Sequence, residues 1–283
     1  MTRYGMVIDV AHCIGCYNCF IACKDEHYGN DHRPYAAPQP LTGQTWMNVI
    51  EIQRGQFPKV KVDYVAIPCM HCENAPCVAA ATDGAIYQRE DGIVIIDPHK
   101  AKGQKELVSR CPYRVIFWNE DEQLPQKCTL CAHLLDAGWR EPRCVEACPT
   151  GALVFGDLDD PGSAISELLA SKPTEVLHPE FGLKEKVRYI GLPKSFIAGC
   201  VVLGDTDECA KGATVTLEEI DADGKSTGVR QTKLTDSFGD FEFEGLRANT
   251  RYKVTVSAPG YKDQVIETRT AVSVNLGDIV LAR

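Results

Sequence analysis

No apolar run in the sequence is long enough to cross a membrane. Stretches such as Ile93-Val94-Ile95-Ile96 and Ala152-Leu153-Val154-Phe155 fall far short of the roughly 18 residues a spanning helix needs. No Lys/Arg-rich block is present either. With 30 basic against 39 acidic residues the formal charge is -9, which leaves no phosphate-tracking surface and argues against nucleic acid as a partner. The start, Met1-Thr2-Arg3-Tyr4, has no basic-then-apolar pattern and no twin-arginine pair, so the chain is expected to lack an export signal of its own. A Gly-rich phosphate loop and a catalytic triad are also missing. Bond-making chemistry is therefore expected on another chain.

Cysteine is the residue in excess, and its placement is uneven. Of 14, all but Cys200 and Cys209 lie between Cys13 and Cys148, so the composition itself marks a domain boundary. Disulfide frameworks belong to short secreted chains with dispersed spacings. Here the cysteines come in tight groups. Cys13, Cys16, Cys19 and Cys23 match the C-x2-C-x2-C-x3-C spacing of ferredoxin loops, with Lys24 where the final Pro would stand. Cys69, Cys72 and Cys77 form a second group, with Ala81 at the fourth position. Cys128, Cys131, Cys144 and Cys148-Pro149 form another complete set, and Cys111-Pro112 stands apart. A cubane cluster takes soft thiolates, commonly three from one loop and one from a distant segment, and these spacings suit it. Tetrahedral zinc also uses C-x2-C pairs but does not account for the four-Cys run.

Hydrophobic patterning predicts a strand over residues 4–10, a cysteine loop, and a helix through residues 19–23. Residues 28–64 read as an insertion with strand around 46–52. Asp91-Gly92 predicts a tight hairpin turn between Ile86 and Ile93, and a second hairpin is expected from Val115 onward. Ser163 is a candidate N-cap for a helix through Leu169, and residues 171–195 read as a linker. From Phe196 the period changes to two, as in Val215/Leu217, Phe241/Phe243 and Tyr252/Val254/Val256. That pattern predicts a small antiparallel sandwich over residues 196–283. Trp46 and Trp118 are expected in a core or an interface.

Residues 3 to about 170 resemble the ferredoxin-type iron-sulfur subunits of molybdopterin oxidoreductases of the dimethyl sulfoxide reductase kind. The resemblance rests on Cys13-Ile14-Gly15-Cys16, Cys69-Met70-His71-Cys72, Lys127-Cys128-Thr129-Leu130-Cys131 and Ala147-Cys148-Pro149-Thr150-Gly151-Ala152-Leu153. It implies that each motif lends its last Cys to a partner motif's cluster. The ligand sets would then be Cys13, Cys16, Cys19 with Cys148; Cys128, Cys131, Cys144 with Cys23; and Cys69, Cys72, Cys77 with Cys111. The family's fourth set falls on Leu107, Gln104, Ala101 and Ala81. The expectation is three 4Fe-4S clusters rather than four.

Residues 196–283 resemble the transthyretin-like, carboxypeptidase-regulatory-like sandwich, on Gly199-Cys200-Val201-Val202, Gly212-Ala213-Thr214-Val215, Thr235-Asp236-Ser237-Phe238-Gly239-Asp240-Phe241 and Ala258-Pro259-Gly260-Tyr261. The expected class is thus α+β, a tandem bacterial ferredoxin-like domain (1–170) followed by an all-β, prealbumin-like sandwich. Cys200 and Cys209 would form a disulfide if oxidised, but in a chain without an export signal they are expected as free thiols. The resemblance implies an electron-transfer subunit with no catalytic residue of its own. Its partner would be a large subunit holding molybdopterin guanine dinucleotide with molybdenum or tungsten. That partner would move hydroxyl groups between phenolic rings or, alternatively, reduce polysulfide, thiosulfate or dimethyl sulfoxide. Residence is expected in the cytoplasm, with co-export to the periplasm beside a signal-bearing partner as the alternative. His12, His71 and His133, each near a candidate ligand, are expected to pack or to tune a cluster by hydrogen bonding.

Overall fold

In the computed structural model, which describes residues 2–283, the first strand β1 (Tyr4–Asp9) leads through a 3-10 turn at Val10–His12 into the first cysteine loop and α1 (Asn18–His27). There follow the hairpin β2 (Asn48–Gln56) and β3 (Lys59–Ile67), α2 (Pro76–Ala80), and the hairpin β4 (Ile86–Gln88) and β5 (Val94–Ile96). A 3-10 helix at Lys105–Arg110 precedes β6 (Phe117–Asn119) and β7 (Leu124–Gln126), then α3 (Ala132–Asp136) and α4 (Arg143–Glu146). β8 (Leu153–Asp157), α5 (Ala164–Ser171) and β9 (Val187–Ile190) complete the series. The chain divides into two units. One runs to Glu51 and resumes over Asp63–Leu192, and the other comprises Ile52–Val62 and Pro193–Arg283.

The first unit is organised around β1. Met6, Val7 and Ile8 are fully buried, as a strand flanked on both edges requires. β8 pairs with it antiparallel, with Ile8 opposite Leu153, and β9 pairs with it parallel, with Met6 opposite Val187. Ser163 caps α5, its Oγ accepting the Ser166 N–H at 3.3 Å, in agreement with the sequence. Two expectations are corrected here. The segment 171–195 is no free linker, because it supplies β9, where Tyr189 is fully buried and donates its hydroxyl to the Ala66 carbonyl at 3.0 Å. The charged residues at 184–186 mask that strand in the sequence. The turn between β4 and β5 is also wider than Asp91-Gly92 alone. Arg89 and Ile93 close it, with Gly92 at φ +84°.

The second unit is a sandwich of two four-stranded sheets. Its strands are β10 (Ser195–Leu203), β11 (Glu208–Cys209), β12 (Thr214–Ile220), β13 (Ser226–Leu234), β14 (Asp240–Leu246), β15 (Arg251–Ser257), β16 (Gln264–Arg269) and β17 (Val274–Leu281). In one sheet β10 pairs with β11, β14 and β17, and the facing sheet has the order β13-β12-β15-β16. Ile197, Val201, Phe243 and Leu281 from one sheet meet Val215, Leu217, Val254 and Val256 from the other. The period-two reading names half of this core. The sandwich is not wholly antiparallel, since β10 and β17 run parallel. That pairing joins strands from opposite ends of the C-terminal segment, which no local pattern reveals.

Within this unit Gly55 sits at φ +86°, and a Cβ there would stand 2.3 Å from the Lys59 carbonyl and 2.6 Å from the Phe196 ring. Glu242 pairs with Lys59 at 2.9 Å and with Lys61. Burial pushes its carboxyl up, but the hydrogen bonds from Lys61 and Lys59 outweigh it and hold the group down at about 2. A depressed carboxylate stabilises the fold above its unfolded value and loses that contribution as pH falls toward its folded one. Glu242→Gln is expected to cost roughly 1 kcal/mol at neutral pH, with the gap to wild type closing between about pH 4.5 and 2. Urea unfolding of both proteins across that range checks the sign. A gap that widens on acidification would contradict it.

Candidate metal centres

Three C-x2-C loops share one backbone device. In Cys13-Ile14-Gly15-Cys16, Cys69-Met70-His71-Cys72 and Cys128-Thr129-Leu130-Cys131 the third residue is left-handed, at φ +67°, +45° and +50°. The turn folds each loop around its first sulfur. His71 and Leu130 donate their N–H to the Cys69 and Cys128 Sγ at 3.5 and 3.4 Å. Left-handed backbone at a non-glycine residue costs of order 1–3 kcal/mol and persists where a site demands it. Gly15 has no such latitude, because a Cβ would lie 2.6 Å from the Tyr64 ring. The two Cys-Pro loops behave alike: Arg114 and Gly151, each three residues past its Cys, sit at φ +56° and +66°.

Pairing of β1 with β8 explains how distant loops meet. Asp9 N–H donates to the Ala152 carbonyl at 2.8 Å, so the loop leaving β1 lies against the loop entering β8. Cys13, Cys16, Cys19 and Cys148 are consequently close enough to act on one another electrostatically. Packing of α1 on α4 does the same for Cys23, Cys144, Cys128 and Cys131. Cys69, Cys72, Cys77 and Cys111 line one cavity with Val94, Ile116 and Lys127. The structure thus brings the twelve thiols together in the same three foursomes that the resemblance implies. They also form a row, since Cys144 feels Cys19 of the first group and Cys128 feels Cys69 of the third. No disulfide joins any of the fourteen cysteines, Cys200 and Cys209 included.

Burial dominates the thiol electrostatics. It pushes Cys19, Cys77 and Cys128 up to about 11 and Cys131 to about 12, with neighbouring thiolates adding to the shift for Cys19 and Cys77. Cys23 and Cys144 lie well above the ordinary thiol range for the same two reasons. Four mutually repelling, desolvated thiolates are tenable only around a cation, and a metal-bound thiol is deprotonated outright. Cys148 goes the other way. Burial opposes its ionisation, but hydrogen bonds from Leu153, Thr150 and Ala152 lower it.

Donors without protein partners line the same loops. His71 Nδ1 accepts from the Val94 N–H at 3.0 Å, so its proton sits on Nε2, which is buried and unpaired, as is Thr129 Oγ1. Cluster sulfides would offer the acceptors that such groups lack. Burial holds His71 and His27 neutral, and His27 Nε2 lies 3.9 Å from Cys131 Sγ. His133 Nε2 bonds Glu26 Oε1 at 2.9 Å, and its ring stacks on His32 at 3.8 Å. Glu26, His32 and His133 could together hold a cation, but the carboxylate is already shared with Arg143. His12 differs from His71 and His133: its exposed ring pairs with Asp9 at 3.2 Å. Trp46 is buried, as expected of a core residue, and donates to Gln44 Oε1.

Two of the four positions on which the resemblance places a further ligand set are closed by packing. Ala101 and Leu107 are fully buried, and the Lys105–Arg110 helix lies against α2, which ends beside Ala81. Two buried lysines escape sequence reasoning here. Lys127 reads only as part of a motif and Lys186 falls in the expected linker, so neither carries a signal of burial.

The sequence profile of the 4Fe-4S dicluster domain matches residues 60–158, and that of the carboxypeptidase regulatory-like domain matches 197–282. The pyrogallol hydroxytransferase small subunit of Pelobacter acidigallici is 44% identical over 99% of this chain and 100% of its own length. The chain belongs to the iron-sulfur subunits of the molybdopterin reductase family. Other members reach less of it. A tetrathionate reductase subunit of Salmonella typhimurium is 38% identical over 69% of the chain and 75% of its own length. A putative dimethyl sulfoxide reductase iron-sulfur subunit of Halobacterium salinarum is 36% identical over 67% and 79%. As an iron-sulfur subunit of this family the chain is an electron-transfer protein, a 4Fe-4S domain followed by a β-sandwich.

The opposed shifts of Cys148 and Cys19 predict an order of reactivity in the iron-free chain. Cys148, lowered, is expected to reach half-maximal alkylation by iodoacetamide at a lower pH than Cys19, which titrates near about 11. Peptide mass spectrometry across a pH series checks the order, and coincident midpoints would refute it.

Proposed function

We propose that the chain carries three 4Fe-4S clusters and serves a large molybdopterin-binding subunit that transfers a hydroxyl group between trihydroxybenzenes. The first cluster is assigned to Cys13, Cys16, Cys19 and Cys148, the second to Cys23, Cys128, Cys131 and Cys144, and the third to Cys69, Cys72, Cys77 and Cys111. Convergence of those thiols into three foursomes supports the assignment, and the apolar filling at Ala101 and Leu107 supports a count of three. The clusters would supply one-electron storage. This chain's part is to hold them by thiolate, exclude water and order them in a row. The catalytic residues and the molybdenum or tungsten, on its molybdopterin guanine dinucleotide, belong to the partner in this reading. The first unit would be a tandem of ferredoxin-like halves.

One observation carries the choice of reaction. The hydroxytransferase subunit aligns along 99% of the chain, whereas the reductase subunits align over 69% and 67%. Hydroxyl transfer between phenolic rings is redox-neutral overall, so turnover needs no long wire to an external acceptor, which suits a chain short of one cluster. No helix among the described residues is long and apolar enough to cross a membrane. We place the complex in the cytoplasm, which fractionation tests.

Anaerobic analysis of the purified chain is expected to give about twelve irons and twelve sulfides. Values near sixteen or eight would overturn the count. Cys23→Ser is expected to damage the cluster of Cys128, Cys131 and Cys144 rather than that of Cys13, Cys16 and Cys19, and electron paramagnetic resonance separates the two. The purified complex should convert one trihydroxybenzene isomer into another. Quinol oxidation without such transfer would favour a polysulfide, thiosulfate or dimethyl sulfoxide type reductase instead.

A further inference from the structure

Three lysines in the first unit present their ammonium groups to backbone carbonyls rather than to carboxylates. Lys24, which replaces the usual Pro after the fourth Cys, is half-buried and donates to the Pro40 and Gln44 carbonyls at 3.0 and 2.9 Å. Lys127, fully buried, donates to the Val94 carbonyl and to that of Cys128 at 3.0 Å. Lys186, also buried, reaches the carbonyls of Gly92 and His71 at 3.2 and 3.4 Å. Carbonyls satisfy the donors but cancel little of the charge, and at the two buried lysines water is too scarce to screen it.

Their placement is selective. Lys24 adjoins Cys23 and acts on it, within the second foursome. Lys127 lines the cavity of the third foursome and acts on Cys77 and Cys111, while also acting on Cys128 of the second. Lys186 interacts with Cys72 of the third, where it stands against the buried Glu185 carboxylate that also acts on Cys72, with Glu73 and Asp91 offsetting part of its field and Arg3 adding to it. Cys13 and Cys19 of the first foursome feel chiefly each other, Cys16 and Cys148. Reduction adds one electron, and so one negative charge, to a cluster already anionic with four thiolates. A fixed positive charge nearby favours that state.

We propose that Lys24, Lys127 and Lys186 are built-in counter-charges that raise the reduction potentials of the second and third clusters, Lys127 acting on both. The inference rests on the ligand sets proposed above. The lysines are positioning residues in the electrostatic sense, touching no substrate. The second and third clusters would thereby hold an electron more readily than the same thiolates would without the lysines.

Redox titration of the intact complex, followed by electron paramagnetic resonance, tests this, with Cys23→Ser and Cys111→Ser identifying the second and third signals. Lys24→Met is expected to lower only the second potential, Lys186→Met only the third, and Lys127→Met both, with the first unmoved. Arg at each position should retain the wild-type values. Unmoved potentials, or equal shifts in all three clusters, in fully loaded variants would overturn the proposal. If Lys127→Met fails to assemble, the Lys24 and Lys186 variants decide it, because each addresses a single cluster. Iron analysis of the wild type separates the two levels of argument. Three clusters present with no shift refutes the lysine roles alone, whereas a wild type that lacks them refutes the ligand sets and the lysine roles with them.

Discussion

Twelve thiols gathered four at a time, most of them away from water, repel one another as soon as they ionise. Burial, helped by neighbouring thiolates, raises the Cys23 and Cys144 thiols well above the ordinary range, so a cationic metal among the sulfurs is what would let them ionise in place. The local architecture of the first unit follows from this constraint. Left-handed turns at Gly15, His71 and Leu130 wrap the loops around sulfur, and helices α1, α2 and α4 present the third Cys of each set from a second direction. Metal binding and folding reinforce one another in such a unit, because bound metal takes the place of the thiol protons and relieves the repulsion among neighbouring sulfurs.

The sulfur environments are graded along the row. At one end Cys16 is exposed and Cys148 is helped to ionise by amide donors. Further in, Cys23, Cys128, Cys131 and Cys144 are buried. Cluster potentials respond to net charge, hydrogen bonds to sulfur and solvent exposure, and each of these varies between the foursomes. A single scaffold can therefore give chemically similar sulfur sites different environments without changing the ligand type.

The second unit contributes none of this chemistry. Its core is apolar, and Glu242 pairs within the unit with Lys59 and Lys61. Family membership resides in the cysteine-bearing unit, which the reductase relatives share. What sets the chain beside the hydroxytransferase small subunit is an alignment that also takes in the sandwich.

The cysteine spacings by themselves determined the number of ligand loops, and the period-two pattern after Phe196 determined a sandwich core, because both depend on residues close together in sequence. The resemblance of the motifs supplied the crossed ligand sets, and which thiols lie near one another is a matter of the fold. Tertiary structure alone decided the rest. β9, inside the expected linker, and the parallel pairing of β10 with β17 depend on partners far away along the chain, Val187 for Met6 and Val274 for Ile197. The burial of Lys127 and Lys186 also depends on the tertiary fold, since lysine in a sequence reads as solvated surface until other segments close over it. The left-handed turns at His71 and Leu130 were hidden for a related reason. Leucine in particular avoids that backbone region, and what accompanies the turns is an N–H to sulfur bond within each loop, to Cys69 and Cys128, which the spacing alone does not announce.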